Sequence, residues 1–249
     1  FLDRSFLDPL REGDGASRAL VPAAAEALLF VELEGKDERS AAAAAARALD
    51  LLSGSALPGS RLAVDAAETA ALWSLRRGAS PSLSRRHPRL ASFQFVEDCA
   101  VPPVKLAELL QGLRGIFEKE GVPAVLFGHA GEAHVHANPL LDPSDPRLGE
   151  RIDRIASEVC ELVDRLGGTL SGEHGDGLAR AEFATRRFGA SADTFQRIRD
   201  VCDPDGILNP GIVLPAPSWR TGRSLRHPWE RRALAARARW RTGRGAATR

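Results

Sequence analysis

Four of the six histidines stand in two glycine-rich stretches, FGHAGEAHVHAN at residues 127–138 and SGEHGDG at residues 171–177. They are His129, His134, His136 and His174, and Glu132, Glu173 and Asp176 lie among them. Glycine lets a backbone turn tightly, so side chains spaced this way can converge on one point. Imidazoles and carboxylates that converge can bind a metal or move a proton. A zinc site that does chemistry keeps three protein ligands and one open position. Two His and one Glu meet that count, and a further His is left as a base. Taken singly, a histidine is more commonly a hydrogen-bonded structural residue, and Glu132 and Asp176 read as solvated loop acids. Four histidines gathered in glycine-rich strand ends favour a metal or catalytic cluster.

The elements around these stretches decide whether they can meet. Residues 123–127 read as a strand entering the first stretch, and 134–139 as the strand that pairs back. On that second strand His134 and His136, two apart, share a face. His129, on the turn before it, can meet one of them. Residues 169–171 read as a short extended segment delivering Glu173 and His174. These two would diverge on a strand, but between Gly172 and Gly175 one can bind metal while the other faces substrate.

Upstream, the apolar run EALLFVEL at 26–33 reads as a buried strand, and 62–66 as a second. The alanine-rich segment 40–52 reads as a helix with Ser40 at its N-cap, residues 53–60 as a turn, and 68–77 as a helix. Residues 92–101 read as a continuous strand with Phe93, Phe95 and Glu97 on one face. Pro102-Pro103 opens a helix that Gly121 ends. After Ser144-Asp145-Pro146 comes a helix with the apolar stripe Leu148, Ile152, Ile155, Val159, Leu162 and Leu166, which Gly167-Gly168 stops. Helices at 180–188 and 191–201 precede the turn DPDGILNPG at 203–211. This succession predicts an α+β fold, helices against a mainly antiparallel sheet.

Composition narrows the classes. The 249 residues include 43% apolar and 27% charged residues, as in a soluble globular protein. No apolar run spans a bilayer and no leader pattern opens the chain, so a cytoplasmic location is expected. Cys99, Cys160 and Cys202 lack CxxC spacing and read as ordinary buried thiols. There is no methionine, so Phe1 reads as an unnatural start and the chain as a fragment or processed piece. It lacks a GxGxxG or GxxxxGK[ST] loop, so a nucleotide cofactor would be held mostly by another domain or chain. The net charge of +1 conceals ten arginines against one acid after residue 216. That tail reads as a poorly ordered extension; its few interleaved tryptophans give thin support for nucleic-acid binding, and no nucleic acid is expected. Arg76-Arg77, by default a favourable helix-end pair, gains meaning only if a carboxylate substrate is bound.

At this point the chain resembles the C-terminal (cap, or substrate) domain of FAD-linked oxidases of the vanillyl-alcohol-oxidase type. The branch is that of D-lactate dehydrogenases, the glycolate oxidase FAD subunit and D-2-hydroxyglutarate dehydrogenases. The stretches that carry the likeness are LWSLRR (72–77), GHAGEAHVH (128–136), GGTLSGEHGDG (167–177) and DPDGILNPG (203–211). The resemblance implies a ferredoxin-like antiparallel sheet with helices packed on it, then a small helical C-terminal segment. The expected division is an incomplete lead-in at 1–20, an α+β substrate domain at 21–140, a helical part of the same unit at 141–215, and a basic, disordered tail at 216–249. It implies His129, His136 and Glu173 as ligands of a divalent metal, commonly zinc, and His174 as general base. It implies Arg76 as the grip on a substrate carboxylate and Asn209 as a cofactor contact.

The implied reaction is oxidation of a D-2-hydroxy acid, such as D-lactate or glycolate, by hydride transfer to FAD on another domain or subunit. The fragment alone is expected to be inactive. An iron–sulfur protein is the expected electron acceptor, with peripheral association to an inner membrane through partners. Three departures stand out. The family's Asp-Gly-Asn is Glu132-Ala133-His134, so His134 joins the metal, replaces the Asn as a donor to substrate, or faces away. The lysine after NPG is Ile212. The position matching a lysine of the hydroxyglutarate branch is Val96, which argues against a second carboxylate on the substrate. The competing readings are a non-catalytic metal-binding or remnant subunit, and a metal-dependent hydrolase.

Overall fold

The computed structural model describes residues 1–12, 15–53, 59–87, 89–214 and 218–224. It falls into two compact units, Phe1–Arg86 and His87–Arg249, which divide inside the 21–140 segment of the sequence reading. The secondary structure is α+β, with an antiparallel sheet and packed helices, as the pattern predicts.

In the first unit, β1 (Leu2–Asp3) pairs antiparallel with β2 (Ala27–Leu28), Leu2 opposite Leu28. Helices α1 (Arg4–Arg11), α2 (Gly15–Leu20), α3 (Glu38–Ser53) and α4 (Ala66–Arg86) complete it. Asp3 caps α1 by accepting from the Ser5 N–H at 2.9 Å, and Phe6, Leu7 and Leu10 are buried. The expected buried strand at 26–33 is only two residues long here. Leu29 and Val31 are more than half exposed, because two-residue β1 offers no partner beyond Leu28. Phe30 instead stacks on Trp73 of α4, with ring centroids 5.8 Å apart. The second expected strand, 62–66, is absent, and Asp65 instead caps α4 by accepting from the Glu68 N–H at 2.8 Å. Helix α3 starts earlier than read: Asp37 is its cap and Ser40 the reciprocal partner, a capping box. The turn expected at 53–60 falls largely outside the described residues.

The second unit positions the site. Strand β5 (Ala124–His129) and β6 (His134–Leu141) form an antiparallel hairpin in the register Phe127 opposite His136 and His129 opposite His134. Its turn closes through Ala133 in the left-handed region (φ 49°), costly for a residue with a Cβ. The other edge of β6 takes two short strands, β3 (Ala91–Ser92) and β4 (Cys99–Ala100). The continuous strand expected at 92–101 is therefore broken, because residues 94–98 leave the ladder to turn Glu97 and Asp98 inward. On its far side Ala100 exchanges two backbone hydrogen bonds with Thr169, at 2.7 and 2.9 Å. That bridge delivers the 171–177 loop beside the hairpin.

Helices α5 (Leu106–Lys119) and α6 (Leu148–Arg165) pack on each other. A Cβ on Gly112 would sit 2.6 Å from Leu162 Cδ2, so glycine sets how closely they approach. The predicted stripe Leu148, Ile152, Ile155, Val159 and Leu162 is buried, each side chain worth about 1.5–3 kcal/mol of transfer free energy. Helices α7 (Gly177–Phe188) and α8 (Ser191–Cys202) follow. No residue of α8 is buried, so Cys202 is exposed, unlike Cys99 and Cys160, whose thiols burial pushes up to about 12 and about 11. Residues 218–224, at the start of the basic segment, lie against α6 and α7. The Gly222 N–H donates to Asp153 at 2.6 Å and the Thr221 hydroxyl to the Ala179 carbonyl at 2.9 Å. The rest of the tail, 225–249, lies outside the described residues.

Candidate metal and proton-transfer centre

The hairpin register alone brings three imidazoles to one side of the sheet. His129 stands opposite His134, and His136 is one same-face step along β6. The ring centroids of His134 and His136 are 4.6 Å apart, and those of His129 and His134 are 5.5 Å apart and stacked. Gly128 makes the turn possible, since a Cβ there would strike the His134 carbonyl oxygen. His134 and His136 form a buried floor, whereas His129 keeps 44% of its side-chain surface.

The 171–177 loop closes over this floor. Glu173 Oε1 lies 3.4 Å from His136 Nε2 and 3.9 Å from His129 Nε2. His174 stacks on His136 at 5.4 Å, with Nε2 3.4 Å from Glu173 Oε1. Glycine at 172 lets the loop approach, because a Cβ there would be 2.8 Å from the His134 ring. Both Glu173 and His174 remain about half exposed, so the mouth of the cluster is open.

The donor set fits a cation. One ligand atom from each of His129, His134, His136 and Glu173 lies within 4.8 Å of the others. Metal–ligand distances of about 2.0–2.2 Å place donors roughly 3–4 Å apart, which the Glu173 contacts already meet. His136 is prepared for the role: Nδ1 donates to the Glu97 carbonyl at 2.9 Å, leaving the Nε2 lone pair toward Glu173. Burial holds its pKa below the ordinary value, outweighing the Glu97 bond, which favours the neutral ring that ligation requires.

Two residues that strand periodicity sets on opposite faces, Glu97 and Asp98, organise this centre. Asp98 is fully buried and accepts from His134 Nε2 (2.7 Å), the Ser171 hydroxyl (2.7 Å) and the His174 N–H (2.9 Å). It also accepts from the Glu173 N–H at 3.2 Å. Burial pushes its pKa up, but these bonds outweigh that and hold it below the ordinary value. Glu97, also buried, faces His174 Nδ1 through Oε1 at 3.4 Å and takes Arg180 Nη1 on Oε2 at 2.7 Å. The adjacent acids of FVEDCAVPP, inside an otherwise apolar run, were the signal available. Asn138 lies two residues beyond His136 on β6. Its Oδ1 is buried with no hydrogen-bond partner among the described residues. The alternation H-x-H-x-N marks it.

His134 thus neither faces away nor stands alone: its ring is in the cluster, and its Nε2 is committed to Asp98. Glu132 sits on the hairpin turn, exposed. Asp176 is half-buried rather than solvated, and burial raises its pKa against the pull of Arg180. Arg76 lies on α4 of the first unit and is exposed; the Arg77 side chain lies outside the described residues. Asn209 occupies the 203–211 turn with φ 46°, its carbonyl accepting from Arg199 at 3.2 Å. No helix of the described residues is long and apolar enough to cross a membrane.

A buried-floor, open-mouthed N/O donor set with an imidazole at its rim has the chemistry to hold a cation and to move a proton. Comparison with known proteins gives it a family. The model for "FAD linked oxidases, C-terminal domain" matches residues 1–213, and the chain belongs to that family. Among curated proteins it is 30% identical over 207 residues to the glycolate oxidase subunit GlcD of Escherichia coli K12, covering 83% of this chain and 40% of that one. It is 34% identical over 155 residues to a D-2-hydroxyglutarate dehydrogenase of Pseudomonas putida, covering 62% of this chain and 15% of that one. A D-lactate dehydrogenase of Archaeoglobus fulgidus is 32% identical over 119 residues, 48% of this chain and 26% of that one. The chain therefore spans well under half the length of these relatives.

Proposed function

We propose that the chain is the substrate (cap) part of a flavin-dependent, metal-assisted oxidoreductase that converts a D-2-hydroxy acid to the 2-oxo acid. The observation carrying this reading is the convergence of His129, His136, Glu173 and His174 in a chain of the FAD-linked oxidase family. His129, His136 and Glu173 would hold a divalent cation, and their nitrogen and carboxylate donors suit zinc. When bound, that cation supplies Lewis acidity that lowers the pKa of a coordinated hydroxyl. FAD, held by a separate domain or subunit, supplies the acceptor for the α-hydrogen as hydride. His174 takes the hydroxyl proton on Nε2, the ring nitrogen turned away from Glu97.

We assign the substrate carboxylate to Arg76 on the LWSLRR match alone, since guanidinium grips carboxylate bidentately. Asn209 is assigned a cofactor contact on the DPDGILNPG match in the same way. Val96, 2% exposed, leaves no cation where the hydroxyglutarate branch has lysine, which favours acids with one carboxylate. An iron–sulfur protein as electron acceptor is the corresponding proposal for a partner.

The test is anaerobic flavin reduction by the chain joined to its flavin domain. D-Lactate or glycolate should bleach the flavin faster than D-2-hydroxyglutarate, and His174→Asn should slow bleaching about 100-fold or more with metal retained. FAD and metal both bound, with no 2-hydroxy acid bleaching the flavin, would leave the non-catalytic metal-binding subunit as the reading.

A further inference from the structure

Glu97 is buried, yet it belongs neither to the proposed ligand set nor to the sheet ladder. Its carboxylate divides between two partners. Oε2 receives Arg180 Nη1 at 2.7 Å, and Oε1 faces His174 Nδ1 at 3.4 Å. Arg180 is itself 4% exposed, and its Nη2 donates to the Gly175 carbonyl, tying α7 to the loop that carries His174. A buried guanidinium is held where its carboxylate is held, because separating them would strand a charge. Both ring nitrogens of His174 lie 3.4 Å from a carboxylate, but only the Nδ1 contact with Glu97 has hydrogen-bond geometry.

We propose that Glu97 is a positioning residue for the base: locked by Arg180, it holds His174 as the Nδ1–H tautomer and leaves the Nε2 lone pair toward the substrate. This deepens the proposed function and rests on it for the identity of the base. The chemistry is that of a carboxylate behind an imidazole, which fixes the tautomer and steadies the charge the ring gains on taking a proton. The same residue orients a proposed metal ligand through its backbone, since the Glu97 carbonyl accepts from His136 Nδ1. One turn of irregular chain thus sets the orientation of both the ligand and the base.

Two measurements test this. The first is the histidine ¹⁵N spectrum of the zinc-loaded chain, with His174 assigned by His174→Asn. In the native chain His174 should show the Nδ1-protonated pattern, and in Glu97→Gln it should move to the Nε2–H or mixed pattern with metal content unchanged. The second is turnover of the chain joined to its flavin domain, where Glu97→Gln should lower kcat about 10- to 100-fold with KM within threefold. A second variant guards against loss of fold, because Glu97→Gln leaves Arg180 with Asp98 Oδ2, 4.0 Å from Nη2, in place of its nearest anion, the Glu97 carboxylate. Glu97→Asp keeps that anion but shortens the reach to the ring, and it should give the same tautomer shift. A His174 spectrum unchanged in the folded variants would overturn the positioning role. If the native complex oxidises no 2-hydroxy acid, the proposed function falls, while the spectrum still decides whether Glu97 orients the ring.

Discussion

Asp98 joins the two glycine-rich stretches more directly than any histidine does. It gathers His134 from the hairpin and Ser171, Glu173 and His174 from the loop onto one fully buried carboxylate. Its folded-state pKa lies below the ordinary 3.8, so on acidification the unfolded chain takes up the proton first. The stability this supplies is complete above about pH 4 and is lost as pH falls below it. Asp98→Asn should therefore cost about 1–3 kcal/mol near pH 6, and the gap in urea midpoints should close below about pH 4. A gap that stays constant with pH would mean the carboxylate charge is not what holds the loop. The histidines were legible in the sequence because hairpin register and period-two geometry follow from local pattern. Glu97 and Asp98 were not, because period-two counting assigns them to opposite faces of a strand that the chain does not form. Only the break between β3 and β4 turns both toward the centre.

Elements with a strong internal period came out as the sequence predicts. The α6 stripe is buried along its length, and Ile155→Ala should cost about 2–5 kcal/mol in a thermal or urea melt. A near-neutral result would show that the helix collapses around the cavity or packs less tightly than its burial indicates. Short apolar runs fared worse. Residues 26–33 and 62–66 have the composition of strands, but a strand needs a partner edge, and composition does not name one. Helix starts show the same limit in small: Ser40 has the residue type of a cap, yet Asp37, three residues earlier, makes the bond. The bridge between Ala100 and Thr169, which delivers the 171–177 loop, joins residues far apart in sequence and leaves no local trace.

For the whole molecule, the family match covers residues 1–213, while the relatives are more than twice as long as the part they share with this chain. The division of labour this implies is testable. The chain by itself should bind one divalent cation and retain no FAD through gel filtration, and joining it to the flavin domain should restore FAD retention. Retention of stoichiometric FAD by the chain alone would place the flavin's hold here.

Elemental analysis of the purified chain tests the metal centre most directly. The native chain should carry close to one divalent ion, with zinc expected, and a His129→Ala/His136→Ala variant of native-like fold should carry almost none. Equal metal content in the two proteins would contradict the site.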